Sequence, residues 1–150
     1  MTSIIPAIEG FFGEYRWMSN FWYSEVEFEG EMYPSTEHAY QAAKTLDPAL
    51  RRNFRFRITW DEKGEPVETT PTCGKAKRMG SKLEIRPDWE EVKVQVMEYV
   101  LRQKFVAGSE LARKLLETGD KYLEETNHWG DTFWGVCNGK GENHLGKLLM

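Results

Sequence analysis

Apolar and polar positions recur with two different periods along this chain, and the residues where the period changes mark its elements. Val26, Phe28 and Met32 flank Glu29-Gly30, which predicts a short hairpin after a stretch, Trp17 to Phe28, that mixes aromatics with turn formers. A helical period follows at once. At about 100° per residue, Ala39, Ala42, Ala43 and Leu46 share one face, while Glu37, Gln41 and Lys44 line the other. Pro34 precedes this helix, Ser35 or Thr36 caps it, and Asp47-Pro48 ends it and opens another short helical turn through Phe54. From Phe54 the period falls to two. Phe54, Phe56, Ile58 and Trp60 alternate with Arg55, Arg57 and Thr59, a turn spans Asp61 to Pro66, and Val67 to Thr70 closes a second hairpin.

Thr72 caps a brief basic helix through Met79, and Gly80 to Pro87 links it to the longest helix, Asp88 to Phe105. There Trp89, Val92, Val96, Met97, Val100 and Leu101 recur as a buried stripe, so core packing is its predicted job. Ser109 caps a further helix through Glu117 that Gly119 ends, and Lys121 to Thr126 reads as a strand or an extended link. The apolar residues Leu145, Leu148 and Leu149 make one or two final turns, too few to be helical without tertiary packing.

Composition narrows the function classes. A length of 150 residues with 40% hydrophobic and 13% aromatic content suits one compact domain, 1–150, with a full core. A net charge of -4 argues against a protein held to nucleic acid by bulk charge and leaves room for a local basic patch. Cys73 and Cys137 form no CxxC pair, so neither zinc nor a disulfide framework is signalled and reduced thiols in a cytoplasm are expected. Met1 to Ile8 shows no basic region followed by an apolar run, and no apolar stretch reaches the ~18 residues of a membrane span. His38, His128 and His144 lack HExxH-type spacing, so no metal is called for.

Two segments hold candidate chemistry. The stripe of Glu37, Gln41 and Lys44 is what any solvated amphipathic helix displays, and it is also an acid, an amide and an amine on one line. Near the end of the chain, Gly130, Gly135, Gly139, Gly141 and Gly146 sit among Trp129, Phe133, Trp134, Asp131, Lys140 and Asn143, just before the last helical turns. Glycines let backbone N–H groups approach an anion, and a helix start with Lys140 adds positive potential, which suits phosphate; a glycine-rich turn packing its aromatics is the plainer reading.

Taken in order, Trp17-Met18-Ser19-Asn20-Phe21, then Thr36-Glu37-His38-Ala39-Tyr40-Gln41-Ala42-Ala43-Lys44, then Trp134-Gly135 with Gly141 to Met150, this chain resembles the NADAR (YbiA-like) family, whose members carry an SNF segment, a TEHxYQxxK helix and a closing WG…GxNxLGxxLM. Ala76 to Gly80 and Arg86 to Trp89 extend the resemblance over nearly the whole chain. It implies a mainly α fold with minor β (α+β), a single compact domain of several helices plus one or two short hairpins. It also implies an N-glycosidase acting between ribose C1 and an exocyclic nitrogen, on ADP-ribosylated guanine or on ribosylamino-pyrimidine intermediates of riboflavin synthesis, without a cofactor.

For such a bond, Glu37 is the expected acid and base and Lys44 the nucleophile that forms an imine with the opened ribose. An ion pair with Glu37 would oppose the lowered pKa that Lys44 needs. The other route uses Glu37 or Asp131 as base on water, with Lys44 as electrostatic support; Asp131 takes its supporting role from its match to the closing motif. Expected substrate contacts are Ser19, Asn20, Gln41 and Asn143 for hydroxyls, Phe21 and Trp134 for stacking, and Gly139 and Lys140 for phosphate. His38 is expected to brace its helix. Arg55 and Arg57 on the second hairpin point to nucleic acid as a carrier of the substrate, or else to a peripheral hairpin. A non-catalytic reader of ADP-ribose is the contrasting class, and the retained acid and amine favour the enzyme.

Overall fold

The computed structural model describes residues 6–150, with the side chain of Arg57 excepted; Met1 to Ile5, part of the stretch inspected for a leader, lie outside the described residues. In chain order the elements are β1 (Ala7–Glu9), a 3-10 helix (Gly13–Met18), β2 (Tyr23–Phe28), β3 (Glu31–Ser35), α1 (Thr36–Ala42), α2 (Pro48–Arg52), β4 (Arg57–Trp60), β5 (Pro66–Thr69), α3 (Cys73–Ser81), α4 (Trp89–Lys104), α5 (Glu110–Glu117), β6 (Tyr122–Glu124), β7 (Thr126–Asn127), β8 (Val136–Cys137) and α6 (His144–Leu149). The fold class is α+β: helices dominate, and the strands pair only two by two, as β1 with β6, β2 with β3, β4 with β5 and β7 with β8. The chain divides into two compact units, a central one from Tyr23 to Lys104 and an outer one made of the residues before and after it.

In the central unit the β2–β3 hairpin turns at Glu29 and Gly30, whose φ values of 48° and 86° are both positive, the geometry of a type I′ turn. Val26, Phe28 and Tyr33 of that hairpin are buried. α1 follows with Ser35 as N-cap, its Oγ accepting the His38 N–H at 3.2 Å, a cap that contributes about 1 kcal/mol. The stripe of α4 is buried at Trp89, Val96, Met97, Val100 and Leu101, and Trp89 packs tilted against Tyr40 of α1 at 5.1 Å between ring centroids. Each such side chain stabilises the fold by roughly 1.5–3 kcal/mol on burial.

Three sequence expectations need correction here. Leu46 does not share the apolar face of α1: the helix ends at Ala42, and Leu46 stands 61% exposed in the link to α2. The basic helix does not stop at Met79 but runs to Ser81, so Gly80 lies inside it. The β4–β5 hairpin forms, but its first strand starts at Arg57 rather than Phe54, and Ile58 and Trp60 are 62% and 68% exposed; of the four alternating apolar residues only Phe54, in the turn after α2, is buried.

In the outer unit, parallel pairing sets Ala7 opposite Tyr122 and Ile8 opposite Leu123. α6 lies so close to β6 that a Cβ on Gly146 would stand 2.1 Å from the Leu123 carbonyl oxygen, and Leu145 and Leu149 are buried there. α5 starts at its predicted cap, with Ser109 Oγ accepting the Ala112 N–H at 3.1 Å. Among the described residues no helix is long and apolar enough to cross a membrane.

Candidate active site

The polar stripe of α1 is not solvated. All seven residues of the helix are buried, with Glu37 and Gln41 only 6% and 4% exposed, so the solvated-face reading does not hold. Within the helix, Gln41 Nε2 donates to Glu37 Oε1 at 2.8 Å, one turn apart, which satisfies part of a carboxylate that burial would otherwise penalise heavily. The far side of the Gln41 amide rests against Gly80 of α3, where a Cβ would stand 1.8 Å from Gln41 Oε1. Gln41 Oε1 is buried and accepts no hydrogen bond among the described residues.

Lys44 sits two residues past the helix, in a turn closed by its own N–H to the Gln41 carbonyl at 3.2 Å. Its ammonium lies 5.7 Å from the centre of the Tyr40 ring. Burial pushes the Lys44 pKa below the ordinary lysine value, the nearby Glu37 carboxylate pulls it back up, and Lys77 and Lys93 push it further down. The net direction is down, so the opposition from Glu37 foreseen in the sequence is outweighed by desolvation and by two neighbouring cations.

The N-terminal end of α1 is held by a buried relay. His38 Nε2 lies 2.6 Å from the Pro71 carbonyl oxygen, which only accepts, so this nitrogen carries the proton. Burial lowers the His38 pKa and keeps the ring neutral, which leaves Nδ1 to accept from the Ser35 hydroxyl at 2.7 Å. Ser35 Oγ also lies 3.6 Å from Cys73 Sγ, and burial raises the Cys73 thiol pKa. His38 braces the helix, as expected.

The remaining sequence candidates belong to the outer unit. Asp131 Oδ1 accepts the backbone N–H groups of Phe133 at 3.2 Å and Trp134 at 2.9 Å, so one carboxylate oxygen closes the local turn. Asn143, 2% exposed, accepts the Glu125 N–H on Oδ1 at 3.0 Å and donates from Nδ2 to the Leu123 carbonyl at 2.9 Å and the Tyr122 hydroxyl at 3.3 Å. Its amide is committed to joining α6 to β6. Cys137 and Lys140 exchange backbone hydrogen bonds at 2.8 and 3.1 Å around Asn138 and Gly139, with φ values of 52° and 75°, which makes this a type I′ turn with Lys140 exposed on it. Trp134 meets the Phe133 ring edge-on at 4.9 Å, and Phe21 is 43% exposed beside half-buried Ser19 and Asn20.

The structure thus gathers Glu37, Gln41 and Lys44 in one unit and adds three residues that sequence reasoning passed over: Gly80, Lys77 and Lys93. Gly80 had a signal, since glycine inside a helix costs about 1 kcal/mol relative to alanine and implies close packing. Lys77 lies in the Ala76 to Gly80 segment that extends the resemblance but had no role read for it, and nothing local marks Lys93; both come near Lys44 through the packing of α3 and α4 on α1.

The chain matches the NADAR domain over residues 10–150. It belongs to the NADAR family. Among NADAR relatives, the N-glycosidase YbiA of Escherichia coli is 37% identical over 91% of this chain and 79% of its own, and an N-glycosidase of Nostoc punctiforme is 34% identical over 91% and 82%. A riboflavin biosynthesis protein of Vibrio vulnificus is 35% identical over 89% of this chain, which spans only 33% of that longer protein. The solution structure of E. coli YbiA superposes with a TM-score of 0.76 at 34% identity, covering 98% of this chain and 83% of that one.

Proposed function

We propose that this protein is an N-glycosidase that hydrolyses the bond between ribose C1 and an exocyclic amine, with ADP-ribosylated guanine as substrate. The observation that supports this best is the buried Glu37, oriented by Gln41, on the same short segment as Lys44, whose basicity is lowered. Family membership and the N-glycosidase names of its relatives support the reaction class.

In the reaction, Glu37 gives a proton to the ring oxygen or to the leaving nitrogen, and the neutral Lys44 amine attacks C1. The C1–N bond breaks, the base leaves with its amine, and the attacking nitrogen passes a proton to whichever of the two atoms Glu37 has not protonated, so that an imine joins Lys44 to the opened ribose. Water, deprotonated by Glu37, adds to the imine and releases the sugar and the lysine. A second reading, hydrolysis of ribosylamino-pyrimidine phosphates, is favoured by the similarity to the Vibrio vulnificus riboflavin biosynthesis protein.

Incubation with ADP-ribosylated guanosine and, in parallel, with a ribosylamino-pyrimidine phosphate, followed by mass spectrometry, separates these readings. Release of ADP-ribose from the first supports the guanine substrate; turnover of the second alone supports the pyrimidine. Binding of ADP-ribose with no turnover of either would leave a reader and overturn the enzyme. Borohydride added during turnover is expected to trap an adduct on Lys44, and Lys44→Ala to abolish both trapping and release.

A further inference from the structure

The central unit holds a cleft of about 360 Å³ that begins just after Lys44 in the chain, where Leu46 and Pro48 contribute to its lining. Arg51, Arg52 and Arg55 line it together with Glu29, Glu31 and Tyr33. Three guanidinium groups against two carboxylates leave one excess positive charge inside a protein whose net charge is -4.

The two signs are not equally solvated. Arg51 and Arg55 side chains keep 12% and 27% exposure, whereas their partners Glu29 and Glu31 keep 57% and 53%. These two arginines are pinned by backbone: Arg51 Nε donates to the Thr45 carbonyl at 2.7 Å, and Arg55 Nε to the Met32 carbonyl at 2.9 Å. The carboxylates belong to the tight β2–β3 turn and its flank and are held by ion pairs, Arg51 Nη1 to Glu29 at 3.1 Å and Arg55 Nη1 to Glu31 at 2.6 Å. Pairs with so exposed an acid are weak, so a better anion displaces them. Arg51 is further fixed by its guanidinium carbon, which lies 5.3 Å from the centre of the Phe28 ring.

From this geometry we infer that the cleft is a phosphate subsite. A phosphate group enters between the pinned guanidinium groups of Arg51 and Arg55 and that of Arg52, and Glu29 and Glu31 swing into solvent. Phosphate fits better than a carboxylate because its tetrahedral array of oxygens accepts forked N–H pairs from more than one arginine at once. The volume exceeds one phosphate and admits the sugar attached to it, so the ligand is a phosphate ester, supplied by a sugar phosphate or by a nucleic-acid backbone. This goes beyond the N-glycosidase reading, and its readout is binding alone, so either can fail without the other.

The test is an NMR titration of the isotope-labelled whole chain with ribose 5-phosphate, and separately with a single-stranded oligonucleotide, at constant ionic strength made up with chloride. Saturable shifts are expected at the arginine Nε–H groups of Arg51, Arg52 and Arg55 and at the amides of Glu29 to Glu31. Tighter, more salt-sensitive binding of the oligonucleotide at these residues assigns the ester to a nucleic-acid backbone; equal affinity assigns it to a small metabolite. Arg52→Gln with Arg55→Gln is expected to weaken binding tenfold or more, and Glu29→Gln with Glu31→Gln to tighten it severalfold, an effect that a damaged fold does not produce. Shifts reproduced by chloride alone, or weaker binding when Glu29→Gln and Glu31→Gln are combined, would overturn the assignment.

Discussion

Gln41 holds Glu37 from one side, with Nε2 to Oε1 at 2.8 Å, and is itself held in place by Gly80, whose missing side chain leaves the room that the Gln41 amide occupies. Two helices therefore meet at a point where the orientation of a buried acid depends on the absence of one methyl group.

Gly80→Ala follows from that contact. The added Cβ would stand 1.8 Å from Gln41 Oε1, so the amide must move and the bond to Glu37 lengthens. Overpacking of this kind costs roughly 1–3 kcal/mol in stability. The kcat of N-glycosidase turnover is expected to fall tenfold or more, and Gln41→Leu in the same assay should lose a similar amount. Wild-type kcat in Gly80→Ala would show that Glu37 needs no such support.

The sign of the alkaline limb of the rate profile separates the two roles of Lys44. Its pKa lies below the ordinary 10.5, chiefly because it is buried. A nucleophile must be neutral, so kcat rises as pH climbs through that lowered value; an electrostatic support must be charged, so kcat falls over the same range. Lys44→Arg sharpens the contrast, because it keeps the charge and removes the nucleophile. Turnover near wild type in Lys44→Arg would exclude the imine.

Lys104 gives a pH-dependent stability. This lysine, 2% exposed at the end of α4, has its pKa lowered to about 7 by burial, with Cys73 nearby acting in the opposite sense. The unfolded chain holds the proton up to 10.5, so between about pH 7 and 10.5 it binds more protons than the folded one and stability rises with pH. From pH 7 to 8.5 the gain is on the order of 1–2 kcal/mol, read as the denaturant midpoint multiplied by its slope. Lys44 acts in the same direction, and the raised Cys73 thiol opposes it as pH rises through the thiol range. Lys104→Met should be more stable at pH 7 and lose most of this slope.

Asn143 and Asp131 test whether motif residues of the outer unit serve the fold or the ligand. Asn143→Ala removes three hydrogen bonds and leaves buried groups without their partners, at about 1–3 kcal/mol for each one stranded. A large drop in melting temperature is expected. Asp131→Asn keeps the Oδ1 acceptor for Phe133 and Trp134 and removes the charge, so it should melt near wild type. A fall in kcat for that variant would assign Asp131 to the chemistry, and unchanged kinetics would leave it a turn residue.

The local elements of this protein were legible from its residues, because their signals lie within a few positions of one another. Ser35, Asp47, Thr72 and Ser109 each accept a backbone N–H at the start of a helix, and Glu29-Gly30 forms its turn from its own φ preferences. The motifs around Glu37, Lys44 and Asn143 were legible in the same way and marked the family. What those residues experience is set by packing between distant parts of the chain. An amphipathic period looks the same whether its polar face meets water or other helices, and burial of Glu37 and Gln41 depends on α3 and α4, dozens of residues away. The exposure of Trp60 and the lowered basicity of Lys44 and Lys104 have the same origin, since desolvation and field are set by neighbours in space, which no local spacing encodes.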